Sequence, residues 1–408
     1  MKVGIIGCGA AGMIAALSAS YQGHLVTILE KNSTPGKKLL STGNGKCNYT
    51  NEDISVEYYN DNAKILFESV YKICNKEDTI KLLKDIGVEP YNKRGYIYPR
   101  SEQASSVVNC LIGGLKRNGV NVIYNCDIKD IRHTDKFYVS TEDSEYIFDK
   151  LIIAAGSNAA PKTGSDGSGY GLAIKLGHKI KKPLPALCGL KCKGIDFKSV
   201  SGVRCRATVT LVCDGQEIRS DIGELQLTDY GLSGIPIFQI SGKALRLLDD
   251  GHNVSVRVDY ASEYKYDDLL EEFDFSRAYL EKDGALQTFL EGFINSKLAN
   301  MFYKEANYDL KNNTSLEAKR NNIKKIVDLV KNSEYEVTGH RGFDNCQVCT
   351  GGIYTEDIDE TLESKICKDL YFAGEIIDVN GDCGGYNLQW AWSSGYLAGL
   401  VGLTKKRN

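Results

Sequence analysis

The chain opens on a short apolar run, Lys2–Ile6, that breaks at Gly7 and gives way to the small and apolar stretch MIAALSAS at helical spacing. A second β-branched run, LVTIL, follows Gly23 and stops at Glu30. The pattern predicts a strand, a helix and a strand in the first thirty residues. Residues 147–156 (IFDKLIIAAG) predict another strand, ending in Ala-Ala-Gly. Residues 369–389 predict a strand, then Gly374-Glu375, then a glycine-rich turn leading into a helix through WAWSSGYLAGLVG. Gly395 and Gly399 stand there at the spacing of close helix packing.

The middle of the chain is patterned differently. After Pro183-Leu-Pro185, residues 203–213 (VRCRATVTLVC) alternate like a strand, and Asp214-Gly215 is a hairpin signal. GELQLTDYGLSGIPIFQIS and NVSVRVDY extend the β character. Residues 263–333 are charged, with apolar positions at helical spacing in DDLLEEF and NNIKKIVDLV.

The glycines between the first strand and helix are placed as G-x-G-x-x-G: Gly7, Gly9 and Gly12. Gly7 permits the tight turn. Gly9 lets a pyrophosphate approach the backbone N–H groups of Ala10 and Ala11 at the helix start, and Gly12 lets helix and strand pack closely. Glu30 follows 18 residues after Gly12, placed to accept hydrogen bonds from ribose hydroxyls. An acid there favours FAD or NAD over NADP, whose extra phosphate it would repel. Cys8, between two of these glycines, reads as a small tolerated residue. Fixed glycines also set this segment apart from a signal peptide, which its apolar character superficially resembles.

These motifs jointly resemble the HI0933-like flavoprotein family, which includes bacterial bile-acid reductases. The resemblance is carried by GCGAAG (7–12), GKKLLSTGNGKCNYTN (36–51), YPRSEQASSVV (98–108), AAGSNAAPKTGSDGSGYGLAIKLGH (154–178), GELQLTDYGLSGIPIFQIS (223–241) and the segment 347–399. It implies an α/β fold with a Rossmann-type FAD-binding domain split across both ends of the chain, with β-rich and helical domains inserted. The expected boundaries are 1–187 and 351–408 for the FAD-binding domain, 188–262 for the β-rich insert, 263–333 for the helical insert and 334–350 for the return segment.

On this reading the loop after Glu30 runs along FAD, and Asn44, Gly45, Lys46, Cys47 and Asn48 line the flavin ring. Lys31, Lys38 and Ile128 join the cofactor contacts. Ala155 and Gly156 allow close backbone approach. Gly374 joins the cofactor contacts, and Asp378 or Glu375 meets the ribityl or phosphate chain. The turn Gly384-Gly385 and the helix start Tyr386-Asn387-Leu388 bring N–H groups to the flavin O2 and N1 edge, where reduction places negative charge. Catalytic candidates are Arg341, Tyr98 and Arg100. Where family members commonly carry Thr or another small residue this chain has Cys349, and where they carry an apolar residue it has Arg100.

The implied activity is that of an FAD-dependent oxidoreductase transferring hydride through flavin N5, reducing an activated C=C bond of a steroid-like or other enone with NAD(P)H as reductant. No second G-x-G-x-x-G follows a strand, so any nicotinamide binds without its own fingerprint. The alternatives are an amine or aminoketone oxidase using O2, and a non-catalytic or RNA-modifying flavoprotein partner.

Composition narrows this further. The formal net charge of −3 and scattered basic clusters argue against a nucleic-acid partner and for a small-molecule substrate. Apart from the N-terminal segment, no stretch approaches the apolar length of a membrane span. The 13 cysteines do not resemble a secreted disulfide framework, which predicts a cytoplasmic protein with reduced thiols. Cys346-x-x-Cys349 and Cys188-x-x-x-Cys192 invite a metal site or a redox pair, but both read as buried packing, and no metal is expected.

Overall fold

The computed structural model describes residues 1–282, 290–308 and 316–402. The basic tail Lys405-Lys406-Arg407 lies outside them. The chain divides into two compact units, Met1–Pro185 with Phe343–Asn408, and Ala186–Gly342.

The first unit is built on five parallel strands in the order Leu370–Phe372, Lys150–Ile153, Lys2–Ile6, Leu25–Leu29, Asn121–Ile123. Val3, Ile5 and Ile28 are fully buried, as expected of strands covered on both faces. The chain goes to one side of Lys2–Ile6 for its next strand and to the other side for Lys150–Ile153. This is the topological switch at which a crevice opens beyond the strand C-termini.

The helix Ala10–Tyr21 buries nine of its residues, and its small side chains admit the helix Tyr386–Gly399 at close range. A Cβ on Gly395 would stand 2.4 Å from the Ala11 carbonyl oxygen, and one on Gly399 would stand 2.4 Å from that of Ala15. The glycine spacing read from the sequence thus locks the two ends of this unit together.

The second unit is a closed antiparallel barrel of six strands: Leu190–Lys193, Gly231–Gly234, Gln216–Thr228, Arg204–Cys213, Val254–Asp259 and Ser333–His340. Asp214 and Gly215, both at positive φ, form the two-residue turn that pairs Cys213 with Gln216. The barrel differs from the sequence reading in two places. IPIFQIS is helical, opening the helix Ile235–Asp249 with Pro236 in its first turn. Its β-branched residues suggest a strand, but Ile237, Ile240, Ala244 and Leu245 follow helical spacing and are buried. Residues 334–340, expected to begin the return segment, instead belong to the barrel strand Ser333–His340, paired on both edges. The helices Tyr266–Lys282, Ser296–Glu305 and Leu316–Asn332 belong to this same unit. Among the described residues no helix is long and apolar enough to cross a membrane.

Candidate active site

Each fingerprint glycine has its own physical reason in the first unit. Gly7, at φ +100°, lies so close to the neighbouring strand end that a Cβ would stand 2.6 Å from the Ala154 oxygen. A Cβ on Gly12 would stand 2.0 Å from the Gly7 oxygen. Gly9 is the exception: a Cβ there would meet nothing within 4 Å. Two of the glycines are required by the chain itself, while the middle one borders open space at a helix N-terminus that has no side-chain cap.

Glu30 is buried behind this loop. One carboxylate oxygen accepts from the Cys8 backbone N–H at 2.6 Å. The other accepts from the Asn32 backbone N–H and side-chain amide, both at 2.8 Å. The ribose assignment left out this role, in which Glu30 holds the glycine turn in shape.

The loop after Glu30 folds through a run of positive φ at Gly43, Asn44, Gly45 and Cys47. A Cβ on Gly43 would press on the Asn48 nitrogen at 2.7 Å, whereas one on Gly45 would meet nothing within 4 Å. Cys47 is completely buried, and burial pushes its thiol up to about 12. It fills space and is not poised as a nucleophile.

The far end of the chain stitches this loop in place. Trp392 Nε1 donates to the Tyr49 carbonyl at 3.0 Å, Thr50 Oγ1 donates to Gln389 Oε1 at 2.5 Å, and Asn51 Nδ2 donates to the Gly384 carbonyl at 2.9 Å. Gly374, at φ +76°, fits against the start of the first helix, where a Cβ would reach Ala11 Cβ at 2.8 Å. Its N–H donates to Ser394 Oγ. Gly156, also at positive φ, leaves room for Ser165 Oγ. The structure therefore brings together the fingerprint, the Ala154–Gly156 turn, the Gly374 turn, the 43–51 loop and the Gly384-Gly385 turn.

Several side chains given cofactor contacts are engaged with other protein groups. Asp378 is 1% exposed. One of its oxygens accepts from Asn60 Nδ2 and the Gly351 N–H, and the other from Asn62 Nδ2 and Lys181 Nζ. It is a structural hub. Asn387 braces the glycine turn, accepting from the Gly381 N–H and donating to the Gly381 and Asp382 carbonyls. Glu375 pairs with Lys38 at 2.5 Å and accepts from the Cys349 N–H at 2.9 Å. Lys31 pairs with Asp166, and Lys46 with Glu102. Tyr386 stacks on Tyr58 with ring centroids 4.6 Å apart, and Leu388 and Ile128 pack on the core.

The catalytic candidates are divided between the units. Tyr98 is half-buried, with a Cε1 that a Cβ on Gly43 would approach to 3.5 Å. Burial, then Tyr96, Cys383 and Glu102, raise its phenol, so it stays protonated. Arg100 is exposed. Arg341, in the second unit, lays its guanidinium 4.8 Å over the Tyr230 ring.

Sequence reasoning missed two groups. Asn158 Oδ1 and the Tyr170 hydroxyl are buried without a hydrogen-bond partner, as is Asn48 Oδ1 on the loop already singled out. Asn158 and Tyr170 both lie in the 154–178 segment that carries the family resemblance, but one asparagine beside small residues and one tyrosine among 24 give no signal of their own. Among the described residues the one cluster with metal-ligand potential is Cys213, Asp214 and His252, which contains none of the four cysteines considered above.

The residues fit FAD. Gly9 and Gly45 leave space beside backbone, and Asn48 and Asn158 present buried polar atoms that await a partner. Gly9, Ala10 and Ala11 would hold the pyrophosphate, and the 43–48 loop with Gly384-Gly385 the ring. Fold and site together define an FAD-binding flavoprotein of the oxidoreductase class.

The family model for the HI0933-like protein Rossmann domain matches residues 1–401, and the chain belongs to that family. It is 37% identical over 404 residues to the 3-dehydro-bile acid delta(4,6)-reductase of Clostridium scindens, covering 98% of both chains. It is 26% identical over 411 residues to the ribosomal RNA dihydrouridine synthase of Haemophilus influenzae, covering 97% of both. Among solved structures, the 3-ketosteroid-delta4-(5alpha)-dehydrogenase of Rhodococcus jostii RHA1 aligns over 98% of this chain and 96% of its own, at 17% identity and a TM-score of 0.47.

Proposed function

We propose that this protein is an FAD-dependent reductase of an activated C=C bond in a steroid-like enone, with NAD(P)H as the reductant. The observation that carries the reading is the end-to-end similarity, at 37% identity, to a reductase named for a bile-acid substrate. FAD, when bound, supplies hydride transfer through its ring. The protein's part is to hold the cofactor on the fingerprint and the 43–48 loop, to exclude water, and to place a proton donor at the α-carbon while the β-carbon receives hydride. Tyr98, protonated and packed beside Gly43, supports that donor role.

The Haemophilus relative suggests a different substrate with related chemistry, because a dihydrouridine is a uridine whose conjugated ring C=C has been saturated. The net charge of −3 favours the small molecule over RNA. The test is anaerobic. Reduce the bound flavin with NADH and then NADPH, add a 3-oxo-Δ4,6 steroid acid, and follow flavin reoxidation together with a product heavier by two hydrogens. Reoxidation by unmodified ribosomal RNA but not by any enone overturns the substrate. Rapid reoxidation by air with none by either substrate points to an oxidase.

A further inference from the structure

One end of the barrel brings together three side chains that no spacing motif marks. Cys213 ends the strand Arg204–Cys213, and Asp214 opens the tight turn after it. His252 stands 38 positions beyond Asp214, in the turn between the helix Ile235–Asp249 and the strand Val254–Asp259. Backbone bonds fix their places. Cys213 pairs with Val254 across the two strands. The Asp214 N–H donates to the Asn253 carbonyl at 2.9 Å, and the His252 N–H to the Leu247 carbonyl at 3.1 Å. The Asn253 N–H returns a bond to Asp214 Oδ1 at 3.0 Å. That bond orients the carboxylate and leaves Oδ2 turned to the other two groups, 2.7 Å from His252 Nδ1 and 3.8 Å from Cys213 Sγ. The sulfur, the imidazole nitrogen and the carboxylate oxygen all lie within 4.8 Å of one another.

We propose that Cys213, Asp214 and His252 bind a zinc ion, with water as the fourth ligand. Sulfur and nitrogen donors beside a single carboxylate select a borderline-soft cation such as Zn²⁺ over Mg²⁺ or Ca²⁺. Ligand atoms of a tetrahedral zinc site stand about 3.4–3.6 Å apart. The imidazole and carboxylate therefore part by roughly 0.7 Å, and the sulfur closes on the carboxylate by about 0.2 Å. Side-chain rotation supplies both movements, because Asp214 and His252 are half-exposed, at 48% and 46%. Cys213 is buried and offers its sulfur from the protein side. Solvent reaches the opposite side, which gives the ion its path of entry and the water its place.

The charges and protons balance. Thiolate and carboxylate together neutralise the two charges of the ion. Binding releases the Cys213 proton and needs the His252 proton on Nε2, so that Nδ1 is free for the metal. The Asn253 N–H stays on Oδ1 and holds the carboxylate in line. The ion ties the hairpin turn to the turn that follows the helix Ile235–Asp249.

The test uses full-length, tag-free, FAD-loaded protein, stripped with EDTA and then equilibrated with Zn²⁺ alone. Equilibrium dialysis counts the ions per chain, and zinc X-ray absorption reads the ligand atoms. The expected result is one ion per chain with one sulfur and three nitrogen or oxygen neighbours. Cys213→Ser should remove the sulfur from the spectrum. His252→Gln, an exposed change, should weaken binding at least ~10-fold. Its FAD content and far-ultraviolet circular dichroism, matched to wild type, exclude misfolding as the cause. No bound zinc, a site with no sulfur or with more than one, a sulfur that persists in Cys213→Ser, or unchanged affinity in His252→Gln overturns the proposal.

Discussion

Glu30→Gln separates two roles that the sequence merges into one. The carboxylate receives three donors: the Cys8 N–H, the Asn32 N–H and the Asn32 amide. A glutamine keeps one acceptor oxygen and turns an NH₂ towards donors on the other side. At least one charge-assisted hydrogen bond is lost, at about 1.5–3 kcal/mol, and the orphaned buried N–H brings the upper figure nearer to ~4 kcal/mol. For a unit of about 250 residues, a loss of ~2 kcal/mol lowers Tm by roughly 4–8 °C. The assay is thermal melting of FAD-free and FAD-loaded protein, with FAD affinity measured in parallel. If Glu30 supports the glycine turn, the FAD-free variant already melts early. If that form melts at the wild-type temperature and only FAD affinity falls, the carboxylate acts on the ribose alone and the structural argument fails.

Three further predictions follow from the same unit. Gly45→Val places a branched side chain where the protein itself offers no obstacle. The FAD-free protein should therefore fold, at a backbone cost of ~1–2 kcal/mol for its positive φ, yet fail to retain FAD on gel filtration; normal retention would move the loop away from the cofactor. Cys47→Ala should keep FAD occupancy and change the anaerobic flavin-reduction rate less than about tenfold, because the thiol is a small buried group; an inactive, FAD-replete variant would make it catalytic. His178 is buried, bonded through Nε2 to Ser364 Oγ, and burial lowers its pKa against a weaker opposing pull from Asp357. The unfolded chain then binds the extra proton first as pH falls, so this contribution is complete above about pH 6.5 and is lost below it. Melting as a function of pH should show a shallower acid decline in His178→Gln than in wild type, and identical profiles would refute the assignment.

The cofactor half of this architecture was readable because it rests on local constraints. A helix start that must meet a phosphate, and a strand end that must pass within van der Waals distance of its neighbour, both demand glycine at fixed offsets, and Gly7, Gly9 and Gly12 comply. The spacing of Gly395 and Gly399 was informative for the same reason. Asp378 was misread because its partners Asn60, Gly351 and Lys181 come from three distant stretches, and residue type alone does not distinguish a carboxylate facing a ligand from one facing inward. The spacing that pointed Glu30 at a ribose says nothing of its bond to Cys8, which depends on backbone direction that the spacing does not encode. IPIFQIS shows tertiary packing and an N-terminal proline outweighing β-branched propensity.

The joining of residues 1–185 with 343–402 into one unit has a consequence for synthesis. The ribosome makes the strand Leu25–Leu29 early, but its sheet stays incomplete until Leu370–Phe372 emerges. At roughly 5–20 residues per second that interval is on the order of 17–70 s. During it, the first helix has no Gly395 or Gly399 to cover it. The barrel of Ala186–Gly342 is continuous in sequence and has all six of its strands sooner. The barrel therefore has all its strands before the sheet of the first unit does. A stop codon placed just before Tyr386 should leave a soluble barrel tethered to a protease-sensitive N-terminal segment.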